Sequence, residues 1–391
     1  MFLFAVALAV APALIAVYAY AVYPSILWIV AQLRRRAAAG ERTGAWPTVT
    51  ITVPVYNAVA SIRTTLTHLL DVDYPRELVQ LLVLSDASDD GTDDVVREFA
   101  VRGIELLRSP ARLGKTAAEN AAVSAARGEL IINVDATITV PSSSLKHLVR
   151  AFDDPTVGVA SGCDVSIGAG DRVGTKAESG YTSYEMWLRD LETKVGSIVG
   201  ASGCFYGIRR RIRAEALPPE LSWDFASTLV AKQQGYRSVS VPNAVCFVPR
   251  AADVQVEFRR KTRTMARGLS TLFYYRALMN PFRYGGFALM LVSHKLLRWL
   301  PFLLAPVAIL ALVVLAPQSN VAALALAAVA LGLLVGTGAI THRGSMGFKP
   351  VAGAGFMVAA AAAGFLAWRD ALRGTRMVTW EPTPRPSTSP G

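Results

Sequence analysis

The chain opens with an almost uninterrupted apolar run, Met1 to Leu33, followed at once by Arg34, Arg35 and Arg36. Roughly 20 apolar residues are enough for a helix to cross a bilayer, so this run predicts a membrane-spanning helix. A signal peptide is also apolar, but its apolar core is shorter and follows basic residues. The three arginines predict that the next residues lie on the cytoplasmic side, because basic residues are enriched there.

A second apolar region lies near the carboxyl end. Hydrophobic residues make up 52% of the 391 residues and charged residues only 18%, which is too apolar for an ordinary soluble protein. Much of this excess lies between Leu296 and Trp368, where three apolar runs, each long enough for about one bilayer crossing, predict about three further spans. We therefore expect a multi-pass protein of the cell membrane.

Between the apolar regions, short β-branched runs alternate with helical patterns. Strands alternating with helices predict an α/β fold with a mostly parallel sheet flanked by helices. Ligands of such sheets bind beyond the carboxyl ends of the strands, so the residues after each run are the candidates. The predicted strands are residues 48–55, 79–85, 103–107, 130–134 and 157–161.

These patterns divide the chain into five predicted parts: a transmembrane helix over 1–33, a cytosolic catalytic domain over 46–250, amphipathic interfacial helices over 251–295, transmembrane helices over 296–369 and a disordered tail over 377–391. Lysine and arginine exceed aspartate and glutamate by 40 − 29 = 11. No nucleic-acid motif accompanies this basic surplus, which favours phosphorylated substrates or anionic lipids as partners. The three cysteines have no metal-ligand spacing and predict reduced packing residues.

Two motifs together carry the strongest functional signal. The first predicted strand ends in Pro54-Val55-Tyr56-Asn57, and the second runs into Ser85-Asp86-Ala87-Ser88-Asp89-Asp90-Gly91-Thr92. The pair resembles the family 2 glycosyltransferases, the group that contains cellulose, chitin and hyaluronan synthases. The resemblance implies the GT-A fold and donor binding by Pro54, Tyr56, Asn57 and Asp86. A calcium loop is the alternative for the second motif, but its twelfth position is Arg97 and not glutamate.

A third motif, Gly114-Lys115, precedes a small-residue helix. The family carries such a Gly-Lys with the lysine near the nucleotide, so Lys115 is a predicted donor-binding residue. A P-loop would require glycine where this chain has Ser109. A solvent-exposed lysine without a function remains the other alternative.

The fourth predicted strand ends in Asp135-Ala136-Thr137, where similar enzymes have an Asp-x-Asp motif that binds Mg²⁺ or Mn²⁺ and the diphosphate of the donor. The resemblance implies Asp135 and Thr137 as metal ligands and Asp135 as a donor-binding residue. A threonine hydroxyl is a weaker ligand than the second carboxylate, so a weakened metal site is expected.

Two downstream segments resemble the acceptor side of the family. The small-residue loop Ser202-Gly203-Cys204 permits close approach of an acceptor, and a plain turn is the alternative for this loop. The resemblance implies that Trp223 also binds the acceptor. In the segment where the family supplies its catalytic base, Asp224 is the acidic residue that remains. Inverting transfer needs one base to take the proton of the attacking hydroxyl. A helix N-cap is the other role open to Asp224.

Arg260 and Arg263 occupy the place of the Gln-x-x-Arg-Trp motif of processive synthases. Guanidinium groups suit diphosphate oxygens, so both are predicted donor-binding residues. An interfacial helix that binds anionic lipid explains the same charges equally well.

The sequence therefore predicts a membrane-bound inverting glycosyltransferase that moves a sugar from a nucleotide-sugar donor, with uridine diphosphate as the expected nucleotide, to a growing polysaccharide or glycan. Addition of one sugar to a lipid carrier is the first alternative. The second is a catalytically silent membrane scaffold that binds a nucleotide or glycan.

Overall fold

A computed structural model describes residues 1–34, 45–167, 173–249, 254–341 and 349–379. They form two compact units. The helical unit comprises Met1–Ile29, Gly170–Gly180 and Ala252–Thr375, and the sheet unit comprises Val30–Ala169, Tyr181–Ala251 and Arg376–Gly391. Arg35, Arg36 and most of the predicted tail, residues 380–391, lie outside the described residues.

The long helices carry the apolar runs of the sequence. Among the described residues, three stretches are long and apolar enough to cross a membrane: Phe2–Leu33, Gly286–Gln318 and Asn320–Gly338. They correspond to the amino-terminal run and to two of the three runs near the carboxyl end. The third of those runs also forms a helix, Lys349–Leu372, and its crossing of a membrane stays a prediction.

The helical unit packs through close contacts between its apolar helices. The indole N–H of Trp368 donates to the backbone oxygen of Trp299 at 2.8 Å, and the Arg298 guanidinium lies 4.8 Å from the centre of the Tyr20 ring. Its helices are α1 (Phe2–Val17), α2 (Tyr23–Leu33, which continues into the sheet unit), α9 (Val254–Tyr274), α10 (Pro281–Tyr284), α11 (Gly286–Leu291), α12 (Leu297–Leu315), α13 (Asn320–Thr341) and α14 (Lys349–Leu372).

The sheet unit is built on a seven-stranded sheet with the order β3-β2-β1-β4-β6-β5-β7. The β4–β6 and β5–β6 pairs are antiparallel and the other four pairs are parallel, so β6 alone runs against the rest. The strands are β1 (Val49–Val55), β2 (Val79–Ser85), β3 (Ile104–Arg108), β4 (Leu130–Val134), β5 (Val157–Ile167), β6 (Phe205–Arg209) and β7 (Arg237–Pro249). The predicted α/β fold with a mostly parallel sheet is confirmed.

Helices flank the sheet and bury its central strands on both faces. Every residue of β1 and β4 is buried, as expected for parallel strands covered on both sides. The helices are α3 (Val59–Leu70), α4 (Thr92–Glu98), α5 (Lys115–Ala125), α6 (Ser144–Arg150), α7 (Val173–Val195, which begins in the helical unit) and α8 (Trp223–Gln233).

The apolar residues of the two faces form separate cores. Ile51, Val83 and Ile132 belong to the larger core, whereas Ile131, Tyr206 and Ile208 belong to a smaller one. Because successive side chains of a strand point to opposite faces, neighbours such as Ile131 and Ile132 stabilise different layers. Both layers hold the strand ends, where the polar motifs lie, in fixed positions.

Candidate active site

The Asp86 carboxylate ties two neighbouring strand ends together. Asp86 follows β2, is 1% exposed, and accepts hydrogen bonds from the backbone N–H groups of Leu113 at 2.7 Å and Gly114 at 2.9 Å. Its own N–H donates to the oxygen of Val55 at the end of β1, at 2.9 Å. The carboxylate therefore fixes the loop that leads into α5, and its direct contact with a donor stays a prediction.

The end of β1 has an unusual backbone and an arginine over its tyrosine. Asn57 has a positive φ of 47°, and its side-chain nitrogen donates to Asp89 Oδ1 at 2.8 Å. The Arg112 guanidinium lies 4.0 Å from the centre of the Tyr56 ring. Pro54 is buried within β1, so Tyr56 and Asn57 are the residues of this motif that reach the surface.

Lys115 and Asp135 form the charged centre of the site. Lys115 Nζ lies 2.6 Å from Asp135 Oδ1 and 3.4 Å from the backbone oxygen of Gly203. Burial alone would lower the pKa of Lys115, but the carboxylates of Asp135 and Glu119 outweigh burial and raise the pKa above its ordinary value. The ammonium therefore stays charged, and Lys115 is not a solvated surface lysine.

The small-residue loop contacts both this charged pair and Asp224. The Asp135 N–H donates to the oxygen of Cys204 at 2.9 Å, and the Ala201 N–H donates to the backbone oxygen of Asp224 at 3.2 Å. A Cβ atom on Gly203 would lie 3.0 Å from Asp224 Oδ2. Any larger residue here would push the carboxylate away by a few tenths of an ångström, so glycine favours this close approach. The predicted donor-binding and catalytic residues therefore meet on this loop.

Asp224 lies in the first turn of α8. Its Oδ1 accepts from the N–H of Phe225 at 2.9 Å and also contacts the hydroxyl of Ser222, the residue that occupies the N-cap. The carboxylate is only partly buried. Asp224 is therefore not the N-cap itself, and its second oxygen lies at Gly203.

Trp223 is buried beside Asp224 and held from two sides. It is 2% exposed, its indole N–H donates to Asn120 Oδ1 at 2.7 Å, and the Arg213 guanidinium lies 4.2 Å from the ring centre. The expected contact of Trp223 with an acceptor stays a prediction. Its contacts in this structure fix the start of α8.

Ser202 is fully buried at the base of the loop. Its hydroxyl donates to Asp164 Oδ1 at 2.5 Å and accepts from the N–H groups of Cys204 at 3.0 Å and Phe205 at 3.2 Å. Cys246 Sγ lies 3.3 Å from the same carboxylate oxygen. Asp164 and Arg213 were not predicted as site residues, because no local motif indicates contacts between positions so distant in the chain.

A divalent cation has one suitable carboxylate here. The Asp135 side chain is 30% exposed, and one of its oxygens is bonded to Lys115. Within the described part of the chain, no three His, Cys, Asp or Glu side chains lie together in a way that could hold a metal. Magnesium commonly takes one or two carboxylates together with substrate phosphates. Asp135 therefore fits a cation that is shared with a bound diphosphate, with Thr137 as the neighbouring hydroxyl.

Arg260 and Arg263 lie on α9, in the helical unit. Both have interactions with other residues of the structure. Their predicted role in donor binding stays a prediction.

The sequence of the site region has clear relatives. Residues 50–216 match the family described as glycosyl transferase family 2. The chain is 28% identical over 175 residues to the beta-monoglucosyldiacylglycerol synthase of Trichormus variabilis, covering 44% of this chain and 37% of that protein. It is 28% identical over 229 residues to an N-acetylglucosaminyltransferase of Rhizobium meliloti, covering 54% and 53%.

The fold has a counterpart among solved structures, the mannosyltransferase PcManGT of Pyrobaculum calidifontis in complex with GDP-Man and Mn²⁺. The TM-score is 0.73 at 23% identity, and the match covers 96% of this chain and 99% of that one. At this identity the likeness establishes the fold alone. The chain spans about half the length or less of the curated relatives named above. The match of residues 50–216 to glycosyl transferase family 2 agrees with the family expected from the sequence.

Proposed function

We propose that the chain is a membrane-bound inverting glycosyltransferase that moves a sugar from a nucleotide-sugar donor to a polysaccharide or glycan at the membrane. One observation carries the proposal: Lys115 and Asp135 donate hydrogen bonds to the backbone of the Gly203 loop, and the Asp224 carboxylate lies against the same loop at Gly203. Two binding regions are thereby brought to one short segment. Sugar transfer needs this adjacency, because the attacking oxygen must approach the anomeric carbon in line with the leaving group.

The donor side offers the charges that a diphosphate requires. The Lys115 ammonium, which stays charged beside Asp135, stabilises the negative charge that develops on the departing nucleoside diphosphate. Asp135 and Thr137 would hold a Mg²⁺ or Mn²⁺ ion, which would supply further positive charge to the diphosphate. Asp86 shapes this side by holding the N–H groups of Leu113 and Gly114 in place.

The acceptor side supplies the base. The acceptor hydroxyl attacks the anomeric carbon, the bond from this carbon to the diphosphate oxygen breaks, and its electron pair leaves with the nucleoside diphosphate. The hydroxyl proton passes to Asp224, whose partly exposed carboxylate can receive it. General base catalysis of this kind contributes about 10²- to 10⁴-fold in rate. Attack from the side opposite the leaving group inverts the configuration at the sugar.

Single addition to a lipid is the second candidate. It is favoured by the relative whose name is beta-monoglucosyldiacylglycerol synthase and by three helical stretches of the described residues that are long and apolar enough to cross a membrane. The two candidates differ in product. A polymerising enzyme gives a ladder of lengths, whereas a single transfer gives one adduct.

The test uses the purified full chain in detergent with membrane lipid extract. Nucleoside diphosphate release is measured from UDP-glucose, UDP-N-acetylglucosamine and GDP-mannose, with Mg²⁺, with Mn²⁺ and with chelator, and the products are sized. We expect release from at least one donor, reduced by chelator and restored by metal. Donor binding without any release in every condition would contradict the proposal and favour the silent scaffold.

A further inference from the structure

Asp164 occupies an irregular part of the sheet. It lies on β5 opposite Cys246 of β7, just beyond a register shift between Ser161 and Cys163. At Gly162, within this shift, a Cβ atom would lie 2.5 Å from the Phe205 ring, so the close packing there requires glycine. Bulges of this kind redirect side chains and are frequent next to active sites.

The two hydrogen bonds that the Ser202 hydroxyl accepts require its third partner to be a hydrogen-bond acceptor. A serine hydroxyl has one donor and two acceptor positions. The N–H groups of Cys204 and Phe205 take the acceptor positions. The single hydrogen must therefore go to an acceptor, which is Asp164 Oδ1 at 2.5 Å. Ser202 is fully buried and Asp164 is partly buried, so the carboxylate reaches the hydroxyl from the more exposed side of this contact.

The loop that Ser202 anchors touches both halves of the reaction. Gly203 lies against the Asp224 carboxylate and accepts from Lys115, and Cys204 accepts from the Asp135 N–H. A displacement of the loop therefore disturbs the position of the base and the position of the donor-binding pair at the same time. Displacements of about 1 Å can lower a rate about 100-fold.

We infer that Asp164 is a positioning residue for sugar transfer: through Ser202 it holds the Gly203 loop between Asp224 and the Lys115–Asp135 pair. The inference rests on the proposed function. What Asp164 supplies is an acceptor oxygen for one hydroxyl, and it does not itself exchange a proton with the substrate. An asparagine has such an oxygen in the same place, whereas an alanine has none.

This difference sets the experiment. Asp164→Ala and Ser202→Ala are expected to lower the rate of sugar transfer by about 10- to 100-fold with the donor dissociation constant unchanged. Asp164→Asn should stay within about threefold of the wild type, because its amide oxygen accepts the Ser202 hydroxyl. Asp73→Ala, which removes an exposed partner of Lys146, is the matched control and should leave the rate unchanged.

A second measurement is independent of activity. Amide hydrogen exchange at Cys204 and Phe205 reports the two bonds that Ser202 accepts, and it should speed up by about tenfold in Asp164→Ala but not in Asp164→Asn. If Asp164→Ala does not fold, Asp164→Leu, which fills the space but has no acceptor oxygen, gives the same readouts.

Three results would overturn the inference. The first is an Asp164→Asn variant as slow as Asp164→Ala, which would mean that transfer requires the negative charge of Asp164 and not only its acceptor oxygen. The second is unchanged exchange at Cys204 and Phe205 in Asp164→Ala, and the third is normal transfer by that variant. Wild-type protein that transfers no sugar from any donor contradicts the proposed function, and the exchange measurement still decides whether Asp164 holds the loop.

Discussion

The donor side and the acceptor side of the site are held together in different ways. On the donor side, the two carboxylate contacts that shape the site join residues close in the chain: Lys115 and Asp135 are 20 positions apart, and Asp86 and Gly114 are 28 apart. On the acceptor side, the two contacts that hold Ser202 and Trp223 in place reach further, over 38 positions to Asp164 and over 103 positions to Asn120.

The difference follows from the topology of the sheet. β1, β2, β3 and β4 are parallel neighbours, so the loops after them meet at one edge without any further arrangement. The acceptor side depends on β6, which runs antiparallel between β4 and β5. The donor side is thus a consequence of a repeating strand-helix pattern, whereas the acceptor side depends on a few long-range contacts.

The largest expected effect lies at the point where the two sides meet. Asp224→Asn removes the base while keeping the shape, so the rate of transfer should fall by about 10³-fold. The donor dissociation constant should stay the same, because Asp224 belongs to the acceptor side. Rapid-quench measurement of product and equilibrium binding of the donor check both statements. Asp190→Asn on the surface of α7 is the control and should transfer sugar at the wild-type rate. If Asp224→Asn also transferred sugar at that rate, Asp224 would not be the base.

A smaller effect with the opposite signature is expected on the donor side. Lys115→Met removes a charged hydrogen-bond donor and should weaken donor binding by about 10- to 100-fold. Since the carboxylates keep the pKa of Lys115 above its ordinary value, this lysine should contribute no change in donor affinity between about pH 6 and pH 9. Titration of the donor against both proteins tests this, with Lys146→Met as the control. If the donor affinity of Lys115→Met were unchanged, Lys115 would not contact the donor.

The donor loop also carries a backbone constraint. Gly114 has a φ of +90°, and a Cβ atom there would lie 2.2 Å from the carbonyl oxygen of Val378. Gly114→Ala should therefore lower the free energy of unfolding by about 2 to 3 kcal/mol. Gly235 has a φ of +84° with nothing within 4 Å of the same position, so Gly235→Ala isolates the backbone cost, about 1 kcal/mol. Equal shifts of the thermal unfolding midpoint would show that the Val378 contact contributes nothing.

The smallest effect is expected behind the acceptor side. Asn120→Ala removes the acceptor of the Trp223 indole N–H and two bonds to the Leu217 backbone, which loosens the start of α8. Transfer should slow by about tenfold, as for one buried group left unpaired, with donor affinity unchanged. Ser124→Ala, on the exposed side of α5, the helix that carries Asn120, is the control. Weaker donor binding by Asn120→Ala would contradict the claim that the acceptor side and the donor side act separately.

The same division explains what the sequence could predict. The first five strands and the cluster of Lys115 and Asp135 were predictable because local motifs follow consecutive strands, whereas β6 and β7 were not predicted. Asp164 was not, because its role depends on a register shift between β5 and β7 and on a serine that is distant in the chain. The burial of Trp223 depends likewise on Asn120 and Arg213, which no spacing connects to it.

The central claim is that one pocket holds the donor's diphosphate at Lys115 and Asp135 with Asp224 facing the reacting sugar. An experimental structure of the protein with a bound nucleoside diphosphate tests it most directly. The account predicts the diphosphate within hydrogen-bond distance of Lys115 Nζ and beside Asp135, with its free end directed toward the Gly203 loop and Asp224. A nucleotide bound elsewhere, or one whose diphosphate points away from that loop, would contradict it.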